Sequence, residues 1–261
     1  MTARKSVKAR RRLCRIVGVI TTKSELRLAT RMAHPPDLFE LRLDHLVAIA
    51  NKLETKISRL RVPIVITARH PAEGGANNLS AQRRHELLSR FLPQARYLDV
   101  ELRSLPAFQT LLETARQQGV GRIISFHYFA STPSPRSLHA KARAAKLHGA
   151  TIFKVATRTD TPAQLVRLLN FASSQDVCLP LSIMGIGKLG GISRLALARS
   201  GSILTYASLG QKRLEGQLSV EQLRAAFNIF DQDLQAVQKL TLVLFPIVRI
   251  DGQGSLSLAQ P

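Results

Sequence analysis

The sequence alternates between short β-rich apolar segments and longer amphipathic segments, and this alternation limits the fold more than any other feature. The longer segments carry apolar residues at spacings near three and four, which is typical of helices packed on one face. Several begin with N-cap residues, and Thr161 is followed by Pro162 at the first helical position. Eight strands are predicted, at Arg15–Thr21, Leu38–Leu43, Pro63–Ala68, Tyr97–Leu102, Arg122–His127, Thr151–Ala156, Cys178–Met184 and Ser202–Ala207.

Repeats of a strand and then a helix, with short connections, indicate the α/β class and a single-domain (β/α)8 TIM barrel. A doubly wound open sheet is the alternative, but such a sheet normally carries a glycine-rich phosphate turn after its first strand. Here the first strand leads into Thr21-Thr22-Lys23, and no GxGxxG follows. Helices are predicted at Ser80–Phe91, Leu105–Gln118, Ser134–His148, Thr161–Ala172 and Ser193–Ser200.

Two segments outside the predicted barrel, which covers residues 15–229, do not fit the repeat. Residues 1–14 form a basic N-terminal arm, for which a flexible solvated segment is the simpler interpretation and a nucleic-acid or membrane tether the alternative. Residues 230–261 form a C-terminal extension. In it we predict a short helix at Asp231–Lys239 and an apolar strand at Leu240–Ile250.

Composition excludes several classes of protein. The two cysteines, Cys14 and Cys178, lack a CxxC spacing, which argues against a disulfide framework, a zinc finger or an iron–sulfur cluster. The longest apolar stretch is shorter than the roughly 20 residues that span a bilayer, and the basic N-terminus lacks the apolar core of a secretory signal. We therefore expect a cytoplasmic protein. The net charge of +21 favours anionic partners, which include nucleic acid, anionic lipid and acidic metabolites.

Charged side chains follow or interrupt several of the predicted strands, and in a barrel of this type the active site lies at the C-terminal ends of the strands. Strand alternation puts Glu40 and Arg42 on the same side of the second strand. A charged pair that faces into a barrel is costly unless it is paired or functional. Asp99 and Glu101 are interpreted as partners that hold the inward-facing arginines in place.

Lys154 is the most informative residue because it interrupts the apolar run Ile152–Ala156. Lysines are almost never fully buried without a reason. Desolvation and neighbouring cations both lower the pKa of a lysine and produce the neutral amine that attacks a carbonyl. Arg42, Arg69 and Arg194 would supply such cations if they converge. A Schiff base is the resulting hypothesis, and a salt-bridged structural lysine is the alternative.

His127 ends the strand before Lys154, and its unperturbed pKa near neutrality suits a proton carrier. Glu73 could hydrogen-bond this histidine and set its tautomer. The simpler interpretations are a structural histidine and a loop carboxylate that caps nearby backbone. Arg194 begins a predicted helix beside a glycine loop, which is a good setting for a substrate carboxylate.

The residues and their order resemble the type I 3-dehydroquinate dehydratase family. Any one matching segment is weak, but seven occur in family order on the expected strands. Together they cover about Arg15 to Ile229. The segments are ELRLD at 40–44, TARHPAEGG at 67–75, YLDVEL at 97–102, SFHYFASTP at 125–133, FKVAT at 153–157, GGISR at 190–194 and EGQ at 215–217.

The resemblance implies a (β/α)8 barrel that is usually a homodimer and needs no metal or cofactor. It implies dehydration of 3-dehydroquinate to 3-dehydroshikimate, the third step of the shikimate pathway to chorismate and aromatic amino acids. It makes Lys154 the Schiff-base lysine, His127 the general acid/base and Glu73 the carboxylate that supports the histidine. The other positions it implies are Glu40, Arg42 and Arg69 at the substrate hydroxyls, Arg194 and Gln217 at the carboxylate and a closing loop, and Met184 and Tyr206 lining the pocket.

One residue and one loop depart from the family pattern. Tyr128 follows the histidine where the family often has Asp. Residues 213–216 read Arg-Leu-Glu-Gly, where Ser-Ala-Pro-Gly is more usual. Glu215 near a bound carboxylate would be unfavourable, and Arg213 is expected to offset it. We therefore expect this departure to affect substrate affinity rather than the chemistry.

Two other functions stay open from the sequence. Another lysine-imine barrel enzyme, such as an aldolase, would share Lys154 but would not need the rest of the set. A non-catalytic, nucleic-acid-associated basic protein accounts for the charge but not for an inward-facing Lys154 and His127. Contact between nucleic acid and the basic arm is an expectation without support from any motif.

Overall fold

The structure, a computed structural model, describes residues 14–174, 176–210 and 214–229, together with the backbone of two short strands nearer the C-terminus. Its largest sheet has eight parallel strands, so the predicted (β/α)8 barrel is confirmed. The strands are β1 (Arg15–Ile20), β2 (Leu38–Arg42), β3 (Ile64–Thr67), β4 (Tyr97–Glu101), β5 (Gly121–Tyr128), β6 (Ile152–Arg158), β7 (Leu181–Ile186) and β8 (Leu204–Ser208).

The strands are hydrogen-bonded in the order β7-β6-β5-β4-β3-β2-β1-β8. Because β1 pairs with both β2 and β8, the first and last strands lie side by side. At the remaining seam the N–H of Ile203 donates to the carbonyl of Leu181 at 2.8 Å, and the Ser182 hydroxyl donates to the carbonyl of Leu204 at 3.1 Å. These bonds nearly close the barrel, so inward side chains from all eight strands converge on one axis.

Helices follow the strands along the chain, and the predicted N-caps are present. The side chains of Ser80, Ser134 and Thr161 each accept a hydrogen bond from the backbone N–H three residues further on. Two short helices, α1 (Lys23–Ala29) and α2 (Glu54–Ile57), and the helical residues 220–229 are not among the individually predicted helices. The helices are α1 (Lys23–Ala29), α2 (Glu54–Ile57), α3 (Ala81–Phe91), α4 (Leu105–Gln117), α5 (Pro135–Leu147), α6 (Pro162–Ser173) and α7 (Gly190–Arg199), and residues 220–229 are also helical.

Two predicted boundaries were wrong by several residues. β7 begins at Leu181 rather than Cys178, since Pro180 has no N–H to donate to a strand ladder. α7 begins at Gly190 rather than Ser193. A Cβ on Gly190 would lie 2.9 Å from the Cα of Gly216, so glycine lets the first helical turn approach that loop.

The apolar core has two layers, which follow from the alternation of side chains along each strand. On β6, Ile152 and Ala156 face the barrel interior, whereas Phe153 and Val155 pack in the layer beneath the helices. Lys154 shares the inward side with Ile152 and Ala156. Because of this alternation, the amine of Lys154 points toward the barrel axis.

The chain divides into two compact units, residues 1–220 and 221–261. In the second unit, residues 221–229 are helical. Further along, β9 (Val248–Ile250) pairs with β10 (Leu256–Leu258) in antiparallel register.

Several predictions fall on residues that the structure does not describe. The basic arm is described only at residue 14. The predicted helix Asp231–Lys239 also lies outside the described residues, as does the predicted strand Leu240–Ile250 up to residue 247. The boundaries proposed for the barrel and the C-terminal extension stay predictions.

Candidate active site

A cavity of about 470 Å³ opens at the C-terminal ends of the strands, where barrel enzymes carry their active sites. All ten site residues that the sequence predicts line it, although they come from five strands, from the segments after β3 and β8, and from helix α7. The structure therefore brings the whole predicted set together, while the role of each residue stays a prediction. The ten are Glu40, Arg42, Arg69, Glu73, His127, Lys154, Met184, Arg194, Tyr206 and Gln217.

Lys154 projects from β6 into this cavity and is 3% exposed. Its Nζ donates to Asp99 Oδ2 at 3.0 Å and to Glu40 Oε1 at 3.2 Å, and it lies 3.6 Å from the ring centroid of Tyr206. The sequence suggested arginine cations near this amine, with a salt-bridged lysine as the alternative, and its hydrogen-bond partners are two carboxylates. A buried charge is tolerated when it is paired in this way. Lys154 is thus a salt-bridged lysine that also lines a cavity.

Arg69 fixes the carboxylate next to Lys154. Its two terminal nitrogens donate to the two oxygens of Asp99, both at 3.0 Å, and Nη1 also lies 3.1 Å from Glu101 Oε1. Burial disfavours a charge on Asp99, but the charges of Arg69 and Lys154 outweigh burial and hold the pKa of Asp99 below its ordinary value. Asp99 and Glu101 thus pair with an inward arginine, as interpreted from the sequence.

His127 and Glu73 form the predicted acid–histidine pair. Glu73 Oε2 lies 3.0 Å from His127 Nδ1 and accepts the backbone N–H of His127 at 2.9 Å, while Oε1 pairs with Arg103 Nε at 3.2 Å. Burial lowers the pKa of His127 well below its ordinary value, and the charges of Arg69 and Lys154 act in the same direction. Burial also raises the pKa of Glu73 to about 7. The imidazole is therefore held neutral, as a proton acceptor must be.

Arg42 lies at the rim, where it links the end of β2 to the loop after β3. Its Nε and Nη2 donate to the two oxygens of Asp44 at 3.0 and 2.8 Å, and Nη2 also donates to the carbonyl of Gly74 at 3.0 Å. Asp44 is fully buried and also accepts the N–H of Ala76 at 2.9 Å. Sequence analysis gave Asp44 no role, although it stands at the predicted strand end.

Arg194 is held by backbone carbonyls from four parts of the chain, and burial lowers its pKa to about 10. One of them belongs to the residue before Gln217, so Arg194 ties the loop that carries Gln217 to the barrel. Within that loop, Gln217 Oε1 accepts the N–H of Leu214 at 3.3 Å. The carbonyl oxygens that Arg194 contacts are those of Gly216 at 2.7 Å, Gly185 at 2.8 Å, Gly190 at 2.9 Å and Tyr206 at 3.2 Å.

In residues 14–174, 176–210 and 214–229, no group of three or more His, Cys, Asp or Glu side chains is arranged to hold a metal ion. Nor does any helix in the described part of the chain have the length and apolar character needed to cross a membrane. The absence of a cofactor and the cytoplasmic location stay predictions.

The sequence model of the family described as type I 3-dehydroquinase matches residues 13–234, which is most of the chain. The chain belongs to the type I 3-dehydroquinase family. It is 34% identical over 197 residues to a 3-dehydroquinate dehydratase of Pyrococcus abyssi, an alignment that covers 75% of this chain and 88% of that protein. It is 32% identical over 228 residues to a 3-dehydroquinate dehydratase of Geobacillus thermodenitrificans, covering 82% and 88% of the two.

Solved structures agree with this assignment. The crystal structure of 3-dehydroquinate dehydratase from Geobacillus kaustophilus superimposes with a TM-score of 0.76 at 28% identity, covering 84% of this chain and 91% of that one. The structure of 3-dehydroquinate dehydratase from Enterococcus faecalis gives 0.73 at 27% identity, covering 84% and 94%. The family resemblance that seven short segments carried is confirmed.

The first departure from the family pattern lies away from the cavity. On β5, Ser125 and His127 face inward, so Tyr128 falls on the opposite side of the strand. Its ring stacks on Phe126, with ring centroids 6.1 Å apart and the planes 13° apart. Tyr128 is not among the residues that line the cavity.

The second departure from the family pattern is the loop that carries Glu215, and the charge of Glu215 is paired with a different residue from the one that the sequence suggested. The carboxylate of Glu215 is exposed and lies 3.2 Å from Arg158 Nη2, and Arg158 also pairs with Asp160 at 2.6 Å. Glu215 does not line the cavity, although its neighbours Leu214 and Gln217 do. Arg213, the partner expected from the sequence, lies outside the described residues.

Nine further residues line the cavity that sequence analysis did not assign to it. The sequence could have indicated several of them as cavity residues. Thr21 and Thr22 directly follow β1. Ala156 lies two residues beyond Lys154 on the same side of β6, and Ile186 lies two residues beyond Met184 on the same side of β7. Others, such as Leu214, come from loops where no periodicity applies. The nine are Val19, Thr21, Thr22, His45, Gly74, Phe129, Ala156, Ile186 and Leu214.

Proposed function

We propose that this chain dehydrates 3-dehydroquinate to 3-dehydroshikimate, the third step of the shikimate pathway, through a Schiff base on Lys154. One observation carries the proposal: a buried amine and a neutral histidine, the latter paired with Glu73, line the same cavity. Membership of the type I 3-dehydroquinase family supports the choice of substrate.

The first step is condensation of Lys154 with the ketone. The ammonium group and the ketone give a protonated imine and one water, so the positive charge stays on nitrogen. Transfer of a proton from the ammonium to a neighbouring carboxylate starts the attack, and Glu40 and Asp99 are both within hydrogen-bond distance. Arg69 holds Asp99 ionised through two hydrogen bonds.

The second step is elimination of water from the imine. The iminium withdraws electrons, so the C–H bond next to it becomes acidic, and the neutral imidazole of His127 takes that proton. The resulting enamine expels the hydroxyl group, to which His127 returns the proton, so that water leaves and a conjugated iminium remains. Hydrolysis of this iminium consumes one water, releases the enone product and regenerates the amine of Lys154.

The family resemblance implies where the substrate's other groups bind, and the lining of the cavity supports it. Arg194 and Gln217 hold the carboxylate; both line the cavity, and Arg194 also binds the carbonyl of Gly216, the residue before Gln217. Glu40, Arg42 and Arg69 lie around the substrate hydroxyls. Met184 and Tyr206 supply the apolar wall. The cationic side chains in the wall suit an anionic substrate.

Incubation with 3-dehydroquinate and borohydride, followed by intact mass measurement, tests the covalent step. Borohydride reduces the imine to a stable amine, so we expect a substrate-derived adduct that maps to Lys154 and is missing in Lys154→Ala. An ultraviolet assay for the conjugated enone follows turnover in parallel. An active enzyme without an adduct would overturn the Schiff base alone. Neither adduct nor enone would overturn the whole proposal, and turnover of a sugar phosphate would favour the aldolase alternative.

The partners considered for this chain are a second copy of itself and nucleic acid. We propose that the chain forms a homodimer, as the resemblance implies, and light scattering at several concentrations measures its mass. The nucleic-acid alternative expects DNA binding that falls steeply with salt in the absence of turnover.

A further inference from the structure

The aromatic ring of Tyr206 lies against the amine that the proposed mechanism uses. Lys154 Nζ is 3.6 Å from the ring centroid, well within the range of about 6 Å for a cation–π contact. Both residues are buried, at 3% exposure for Lys154 and 4% for Tyr206. Bulk solvent therefore screens the contact little, and cation–π contacts are strongest where they are desolvated.

The ring is held in place by the barrel itself. Tyr206 is paired with Val17 in the β1–β8 ladder, and its carbonyl accepts the Nε–H of Arg194 at 3.2 Å. Burial raises the pKa of Tyr206 well above its ordinary value, and Glu40 and Asp99 act in the same direction. The phenol is therefore neutral, and its contact with Lys154 is through the ring face rather than through a phenolate charge.

The tyrosine hydroxyl and the ring face can be separated experimentally. Among the residues that the structure describes, the hydroxyl has no hydrogen-bond partner. Tyr206→Phe therefore removes no hydrogen bond made in this structure and keeps the face that meets Nζ.

The proposed chemistry changes what the amine can donate. The ammonium of Lys154 carries three N–H donors, two of which meet Glu40 and Asp99. The protonated imine keeps the positive charge but only one N–H, because two hydrogens leave in the water that is released. At least one carboxylate hydrogen bond is then lost while the nitrogen is still cationic and buried. A ring face needs no N–H, so its attraction for the nitrogen persists through this change.

We propose that the ring face of Tyr206 binds the iminium of Lys154 more strongly than the ammonium, whose charge Glu40 and Asp99 already pair, and so favours accumulation of the covalent intermediate. This inference rests on the proposed function, since it concerns the Schiff base on Lys154. It gives Tyr206 a part in the reaction beyond lining the pocket. Asp99, which Arg69 holds in place, is the carboxylate that keeps the remaining N–H.

A series of ring substitutions at position 206 tests this inference. Fluorine withdraws electron density from the ring face but barely changes its shape, so phenylalanines with one, two and three fluorines weaken a cation–π contact in steps. The measured quantity is the ratio of adduct to free chain after borohydride quenching at a fixed 3-dehydroquinate concentration. We expect Tyr206→Phe to stay within about twofold of the wild type and the trifluorinated ring to lose about tenfold or more.

Two controls separate this role from folding and cavity shape. Tyr206→Leu removes the face altogether, and its thermal unfolding temperature reports whether the barrel survives. The same fluorinated phenylalanines at position 128, a tyrosine that stacks on Phe126 and does not line the cavity, should leave the adduct ratio unchanged. The fluorinated set keeps the side chain's volume, so it stays decisive if Tyr206→Leu does not fold.

The outcomes distinguish this inference from the proposed function. If the wild type forms an adduct and the ratio is the same across all fluorinated rings, the role of Tyr206 is overturned while the Schiff base stands. If the wild type forms no adduct, the Schiff base fails, and the inference fails with it. A stepwise decline with fluorine number, at unchanged unfolding temperature, supports both.

Discussion

Oε2 of Glu73 lies 3.0 Å from Nδ1 of His127 and at the same time accepts the backbone N–H of His127. One carboxylate oxygen therefore fixes both the ring and the main chain of the same residue. When Glu73 is ionised, it can only accept, so Nδ1 carries the ring proton and Nε2 is left as the base. A protonated Glu73 can instead donate to Nδ1 and reverse the tautomer.

The first prediction concerns the pH dependence of activity. Because burial raises the pKa of Glu73 to about 7, kcat/KM for 3-dehydroquinate should rise with an inflection near that pH as the carboxylate ionises. Glu73→Gln cannot titrate, so this inflection should disappear. General acid–base catalysis contributes about 10²–10⁴-fold to a reaction rate, and His127 is still present in Glu73→Gln. The kcat/KM of this variant should therefore fall by less than that factor. An unchanged inflection in Glu73→Gln would show that another group sets the pH dependence.

The second prediction concerns the pH dependence of stability. Whereas activity should rise with pH, the contribution of Glu73 to folding stability should fall. The folded-state pKa of Glu73, about 7, lies above the ordinary 4.5, so the folded chain holds a proton that the unfolded chain releases. The resulting stabilisation is fully present below pH 4.5 and is lost as the pH rises through about 7. Glu73→Gln should therefore gain thermal stability relative to wild type between pH 5 and pH 8. Glu86→Gln, at an exposed glutamate paired with Arg83, should show no such gain.

The third prediction separates two interpretations of Glu215. If Glu215 repelled the substrate carboxylate, as the sequence suggested, Glu215→Gln would lower KM. Because Glu215 forms an ion pair with Arg158, we expect the opposite: Glu215→Gln should raise KM. An exposed ion pair contributes up to about 1 kcal/mol, so the increase should be at most about fivefold. Salt screens exposed charges and should make the increase smaller. KM at low and high ionic strength decides the sign. Glu54→Gln, which breaks an exposed pair with Arg90 instead, is the matched control and should leave KM unchanged.

The fourth prediction concerns the buried network around Asp99. Asp99→Asn leaves Arg69 and Lys154 buried with one carboxylate fewer, and breaking a buried pair in this way costs about 3–5 kcal/mol. Urea unfolding at pH 7 measures the loss. Asp176→Asn changes an exposed aspartate and should cost less than about 0.5 kcal/mol. Equal stabilities for the two variants would mean that the network contributes nothing to folding.

Strand alternation explains why so much of the candidate site could be predicted. Which side of a strand a residue occupies depends only on its neighbours along the chain, so Glu40, Arg42 and Lys154 could be placed inward together. Helix periodicity also depends only on neighbouring residues, but the pattern can be recognised only in a segment of about 11 residues or more. The unpredicted helices α1 and α2 have seven and four residues, too few for a clear pattern.

Contacts between distant residues explain what could not be predicted. Lys154 meets Glu40 across 114 positions and Asp99 across 55, and Arg158 meets Glu215 across 57. Sequence reasoning suggested arginine cations near Lys154 and Arg213 as the group that offsets Glu215. Charge alone does not say which groups form the contacts at 3.0 to 3.2 Å. The residue order was enough for the barrel, the inward-facing set and the family. Side-chain pairing was decided in the folded chain, since only there are through-space distances set.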